Sequence, residues 1–167
     1  NLAYPDGPGL RPAIISVHGG RWRAGHRTDA SSIKVTQWAE FGFVALSVDY
    51  RLVGGSPAPA CYTDVRCAIR WVHAHAGDYG IDPERVYLIG QSAGGHMVSL
   101  AATIGEGPYP KTGGWDTARS DVRAVVSVAA ATTSVRSRLE PGLCRRVAFA
   151  FLNIRPFDHR ACGGADR

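Results

Sequence analysis

The chain predicts an α/β fold, a mostly parallel sheet with helices on both faces. Three observations lead there. Short apolar runs rich in β-branched residues occur at 13–17, 43–48, 86–89 and 122–130, the composition of strands buried on both sides. Stretches with helical apolar spacing separate them, and that alternation predicts βαβ units. Finally, Gly19, Gly20 and Ser92 all fall just after expected strand ends, where an open sheet of this kind keeps its sites.

Taken in order, residues 2–11 are rich in proline and glycine and are expected to form a loop. The first strand, 13–17, runs into His18-Gly19-Gly20-Arg21-Trp22. A glycine pair directly after a buried strand lets the backbone approach a ligand and offer its N–H groups; a plain turn beside a core histidine fits the same residues. Residues 31–41 read as a helix, with Ile33, Val35, Trp38, Ala39 and Phe41 as apolar positions and Gly42 as a stop. The strand 43–48 closes at Asp49-Tyr50-Arg51-Leu52, and a Gly/Pro-rich loop follows at 53–59. A second helix is expected over 61–76, with Val65, Ala68, Ile69 and Val72 on its apolar side. Residues 77–83 return the chain to the strand 86–89. A helix at 97–104, a loop at 105–115 and the strand at 122–130 complete the pattern, which contains no internal repeat.

The strand at 86–89 meets Gly90-Gln91-Ser92-Ala93-Gly94 and then a helix. The bare Gly-x-Ser-x-Gly spacing is common by chance, but strand, tight turn and helix with a serine at the apex is the setting of a nucleophile elbow. Its glycines have a physical task. The sharp turn forces the serine into a strained conformation, and a Cβ at the neighbouring positions would clash where strand and helix cross. Ser92 is the candidate nucleophile. The Ala93 N–H, at the start of the helix, points where an oxyanion would form.

Composition narrows the function classes. At 167 residues, 45% hydrophobic and 20% charged, the chain has the makeup of one globular domain. No apolar run reaches the length of a membrane span, and residues 1–6 have no signal-peptide character. The formal charge of +5 is unevenly placed: residues 1–131 carry 12 basic and 11 acidic groups, whereas 132–167 carry 7 arginines against Glu140, Asp158 and Asp166. That tail lacks aromatic interleaving, so nucleic acid is not an expected partner. Cys61, Cys67, Cys144 and Cys162 show no metal-ligand spacing and read as buried or incidental thiols.

His18-Gly19-Gly20-x-Trp22, Asp49-Tyr50-Arg51-Leu52, Asp64 with Arg70-Trp71-Val72, residues 79–85 and Gly90-Gln91-Ser92-Ala93-Gly94-Gly95-His96 together resemble the α/β-hydrolase superfamily. The esterase branch related to hormone-sensitive lipase and to bacterial acetyl- and feruloyl-esterase-like proteins is most similar. The resemblance runs from about residue 13 to 130. It implies serine hydrolysis of a small carboxylic ester through an acyl-enzyme on Ser92, with Gly19, Gly20 and Ala93 N–H groups as the oxyanion hole and neither metal nor cofactor. A formamidase or a prolyl-oligopeptidase-type peptidase uses the same chemistry. Arg21 departs from the third glycine that many members carry. His18 reads as a loop-ordering hydrogen bonder, Asp49 and Asp64 as structural carboxylates, His96 as packing against the neighbouring loop, and His73 and His75 as solvated.

A serine of this kind needs a histidine and a carboxylate, which the resemblance places after Ser92 in chain order. His159 is the only histidine beyond His96, and adjacent Asp158 diverges from it on an extended segment. The acid and base are therefore not located, and the expectation is a core over 1–131 followed by an atypical Arg-rich tail over 132–167, as in a truncated or frame-shifted chain. The competing expectation is a catalytically incomplete fragment or binding module, whose unfinished sheet edge would favour self-association. Substrate identity and compartment are not readable here.

Overall fold

The structure, a computed structural model, describes residues 1–29, 34–104 and 107–128, and 148–152 as backbone. The elements in chain order are β1 (Leu2–Ala3), β2 (Arg11–Val17), α1 (Val35–Glu40), β3 (Val44–Val48), α2 (Ala60–Ala74), β4 (Ile81–Gln91), α3 (Ala93–Thr103), β5 (Ala124–Val128) and β6 (Ala148–Leu152). The strands form one sheet in the order β1-β3-β2-β4-β5-β6. Among the described residues, only the β1–β3 pair is antiparallel.

The two faces follow from strand alternation. Ala13, Ile15 and Val17 of β2 join Val44, Leu46, Val86 and Leu88 on one face, where Val65, Ile69 and Val72 of α2 and Met97, Val98 and Ala101 of α3 cover them. Burying a side chain such as Ile15 is worth about 2 kcal/mol. The intervening Ile14, Ala45 and Ile89 face the other way and pack with Val35 and Trp38 of α1. The sheet thus carries helices on both faces, as its strand composition requires.

Several local expectations are revised. Residues 2–11 are not all loop: Leu2 and Ala3 pair with Leu46 and Ala45, because the free edge of β3 offers unpaired backbone groups. The first helix is shorter than expected, Val35–Glu40; residues 30–33 lie outside the described residues. The elbow strand begins earlier, at Ile81. Ile81 pairs with Arg11 and Val86 with Ala13, so residues 82–85 stand outside the ladder. Pro83 therefore sits where no ladder N–H is needed, and Asp82 closes the excursion by accepting from Glu84 N at 2.9 Å and Arg85 Nε at 2.6 Å. Within the Arg-rich tail, Ala148–Leu152 form β6, which pairs in parallel register with β5; the rest of 132–167 lies outside the described residues.

His73 and His75 are half-buried rather than solvated. Nε2 of His73 meets the Asp121 carbonyl at 2.9 Å, and the His75 ring stacks on Trp71 with centroids 4.5 Å apart. Loop and helix supply aromatic and carbonyl partners that the sequence pattern did not reveal. Cys61 is buried and Cys67 half-buried, both as free thiols, and burial raises the pKa of each. Asp64 on α2 accepts from Arg51 N at 2.7 Å and pairs with the Arg51 guanidinium, tying the chain after β3 to the helix.

α2 also buries two arginines one turn apart. Arg66 donates to Ser120 Oγ at 3.1 Å, while Arg70 donates to the carbonyls of Thr112 at 2.6 Å and Gly114 at 3.2 Å. Arg70 is 1% exposed. A buried guanidinium survives only where acceptors replace its water, and here the segment from Gly107 to Asp121 supplies them.

Candidate active site

β2 and β4 lie side by side with Val17 opposite Gly90. Their outgoing helices, α1 and α3, cover opposite faces. Such a divergence opens a crevice at the carboxyl ends of the two strands, and His18-Gly19-Gly20 and Ser92 are the residues that line up there.

Ser92 caps α3 at φ 53°, ψ −116°, a conformation that costs a residue with a Cβ about 1–3 kcal/mol. The surroundings impose it. Ser92 N donates to Val128 O of β5 at 2.8 Å, and His96 N donates back to Ser92 O at 3.0 Å. A Cβ on Gly90 would run into the backbone of Gly94, and one on Gly94 would run into the carbonyls of Val17 and His18. The glycines of the elbow are thus required by proximity. Ser92 is exposed and Ala93, the first residue of α3, is buried beneath it. The N–H groups of that first turn have no partner within the helix.

Gly19 is brought against the elbow. A Cβ placed on it would lie 3.4 Å from Ser92 Cβ and 3.1 Å from the Gln91 carbonyl oxygen. Gly20 (φ 112°), Arg21 (φ 55°) and Trp22 (φ 61°) then take three successive left-handed conformations. Arg21, which stands where a third glycine is common, tolerates this because the turn is held on both sides. Arg23 N and Ala24 N each donate to Gly20 O at 3.0 Å, and Val53 N donates to Trp22 O at 2.9 Å.

His18 is 1% exposed. Its ring stacks on Tyr50 with centroids 4.2 Å apart and planes 16° apart. Nδ1 lies 2.7 Å from Gly19 O; a carbonyl only accepts, so Nδ1 carries the proton. That geometry suits a loop-ordering hydrogen bonder. Its Nε2 lies 4.0 Å from Asp49 Oδ1. Asp49 in turn accepts from Arg27 N at 2.6 Å and pairs with the Arg27 guanidinium and with His26. Burial opposes ionisation of Asp49, but the Arg27 hydrogen bonds outweigh it and hold the carboxyl below its usual range. Asp49 thus anchors the segment that follows the glycine turn.

One helical turn beyond Ser92, the His96 ring meets Trp22 edge-on at 5.5 Å and Tyr62 at 5.9 Å; Tyr62 then stacks on Tyr109 at 6.2 Å. Burial lowers the His96 pKa, so its imidazole is neutral at pH 7. The sequence pattern does not reveal this aromatic row, because its members come from four separate segments. In the sequence Tyr50 is only one member of the Asp49-Tyr50-Arg51-Leu52 motif, yet its hydroxyl lies 3.0 Å from Gly19 O and 3.2 Å from His18 O. Among the described residues, no group of three or more His, Cys, Asp or Glu side chains is placed to hold a metal ion, and no helix is long and apolar enough to cross a membrane. Asp158 and His159 lie outside the described residues.

The chain is similar to known proteins. The chain is 33% identical over 121 residues to the "Probable carboxylic ester hydrolase LipM" of Mycobacterium tuberculosis, covering 72% of this chain and 28% of that protein. The propionate-bound esterase Est2 of Thermogutta terrifontis superposes with a TM-score of 0.66 at 27% identity, over 87% of this chain and 56% of that one. A truncated carbohydrate esterase from gut microbiota gives a TM-score of 0.67 at 27% identity, over 75% of this chain and 48% of that one. The chain thus spans under a third of the curated relative's length and about half of each solved esterase. A family model described as BD-FAE matches residues 3–138. A left-handed serine between strand and helix, a glycine turn on the adjacent strand and a match over most of the sequence agree: the chain belongs to the BD-FAE family of α/β-hydrolase esterases.

Proposed function

We propose that the protein hydrolyses short-acyl carboxylic esters through an acyl-enzyme on Ser92. The observation that carries this reading is the close approach of Gly19 to Ser92 across neighbouring strand ends. One small carbonyl group fits between a hydroxyl and a glycine backbone so disposed. Ser92 Oγ adds to the ester carbonyl carbon, and a general base accepts its proton. The N–H groups of Gly19, Gly20 and Ala93 receive the negative charge that grows on the carbonyl oxygen. The tetrahedral adduct collapses, the alcohol leaves with that proton, and the acyl group stays on Ser92 until water repeats the sequence. The histidine and carboxylate of such a triad follow the serine in chain order.

Support for a small ester comes from two directions. The solved Est2 structure carries propionate, and another solved relative is a carbohydrate esterase. In this chain the row formed by Trp22, His96, Tyr62 and Tyr109 starts one turn from Ser92 and suits an apolar acyl or aryl group. A sugar acetate and a feruloyl ester both present such a group.

The test is labelling with a fluorophosphonate probe beside turnover of p-nitrophenyl acetate, with Ser92→Ala as the control. The expected outcome is stoichiometric labelling at Ser92, with turnover lowered at least about 10³-fold in the variant. A folded wild-type chain that takes up no probe, or a variant that turns over equally well, overturns the proposal.

A further inference from the structure

We infer that Tyr50 is a positioning residue that holds the two glycine N–H groups in place through the opposite ends of their peptide planes. The inference rests on the ester-hydrolase reading and deepens it. A trans peptide is planar, so its C=O and N–H point in opposite directions. The His18 carbonyl shares a peptide with the Gly19 N–H, and the Gly19 carbonyl shares one with the Gly20 N–H. The Tyr50 hydroxyl lies 3.2 Å from the first oxygen and 3.0 Å from the second. It carries one proton, which it shares between them. His18 Nδ1–H adds a second donor to the Gly19 oxygen at 2.7 Å. Both carbonyls are thus turned to the core side, and both amides face away from Tyr50.

Glycines need such a restraint because they lack the Cβ that narrows backbone choice elsewhere. An oxyanion hole stabilises a transition state only when its donors are aligned beforehand. The ring of Tyr50 already fills the space against His18, so packing alone asks only for a phenyl group. The hydroxyl is what the packing does not require, and its hydrogen bonds to the His18 and Gly19 oxygens both go to this loop. Burial pushes its pKa up to about 12, so it remains a donor throughout the neutral range.

The experiment compares wild type with Tyr50→Phe, which keeps the stack on His18 and removes the hydroxyl. Turnover of p-nitrophenyl acetate should fall about tenfold or more in kcat, with KM within about twofold, because the donors act on the transition state. Amide hydrogen exchange at Gly19 and Gly20 should accelerate about tenfold, while the amides of α3 keep their wild-type rates. The α3 amides report whether the variant is folded. Unchanged kcat, or unchanged exchange at both glycines in a folded variant, overturns the inference. A wild-type chain that neither turns over nor takes up the probe overturns the hydrolase reading instead, and the exchange comparison then still decides whether Tyr50 holds the two peptides.

Discussion

At the carboxyl rim of the sheet the chain passes through Gly19, Gly90 and Gly94 with backbone crowding each of them; at the amino rim it passes through Gly9 and Gly77 with no atom within 4 Å of an added Cβ. The strain is distributed differently too. Left-handed positions leading into β2 and β4, at Gly7, Gly9 and Gly80, are all glycine, whereas Arg21, Trp22 and Ser92, where the chain leaves the same strands, adopt them with full side chains; Trp115, on the segment leading into β5, is left-handed as well. The amino rim also opens into a cleft of about 400 Å³ lined by residues such as Tyr4, Arg11 and Tyr79. The carboxyl ends of β2 and β4 are therefore held in a costly shape by their neighbours, while the chain enters the same two strands through turns that glycine makes without strain. Around β2 and β4, strain retained by non-glycine residues marks the end where the candidate chemistry sits.

Substitutions can break this contrast. The largest effect is expected from Gly94→Ala. The new methyl would meet the Val17 and His18 carbonyls, and overpacking against backbone should cost about 3 kcal/mol, read as a lower urea midpoint with an unchanged slope. A loss below about 1 kcal/mol would make the two rims equally tolerant.

An intermediate effect concerns acid. His96 is held neutral by burial, with its folded pKa below the ordinary 6.5. The unfolded chain then binds more protons than the folded one across that window, so stability rises with pH there. The contribution is present above 6.5 and lost as pH falls through the folded value. His96→Gln should flatten that part of the stability profile, measured by denaturation between pH 7 and 4; an unaltered profile would assign the acid sensitivity to other groups.

The smallest effect is expected at the amino rim. Gly77 sits in open space without a left-handed φ, so Gly77→Ala should be neutral or stabilise by about 0.5 kcal/mol through the unfolded state. A clear loss in thermal melting would show that this rim is as constrained as the other.

Much of the frame was legible in the sequence because it depends on local pattern. The strand runs, the glycine spacing around Ser92 and the glycine pair after the first strand all read directly, and they place Gly19 and Ser92 on facing ends. What escaped depends on distance along the chain. Tyr50 reaches Gly19 across 31 positions and Arg66 reaches Ser120 across 54. Nothing in the helical spacing of α2 separates a buried arginine from a solvated one, since Arg70 follows Ile69 in an amphipathic pattern that suits either. β1 was missed because its two residues gain their order only from the edge of β3.

Arg70 grips the segment from Gly107 to Asp121 through the main-chain oxygens of Thr112 and Gly114. Main-chain oxygens are common to all amino acids, so the anchor is indifferent to which side chains the loop displays. Tyr109, which reaches the aromatic row, rides on this same segment. Natural drift can therefore rewrite the lettering of this segment while its trace stays clamped, giving the fold a place to vary beside the candidate site without rebuilding its foundation.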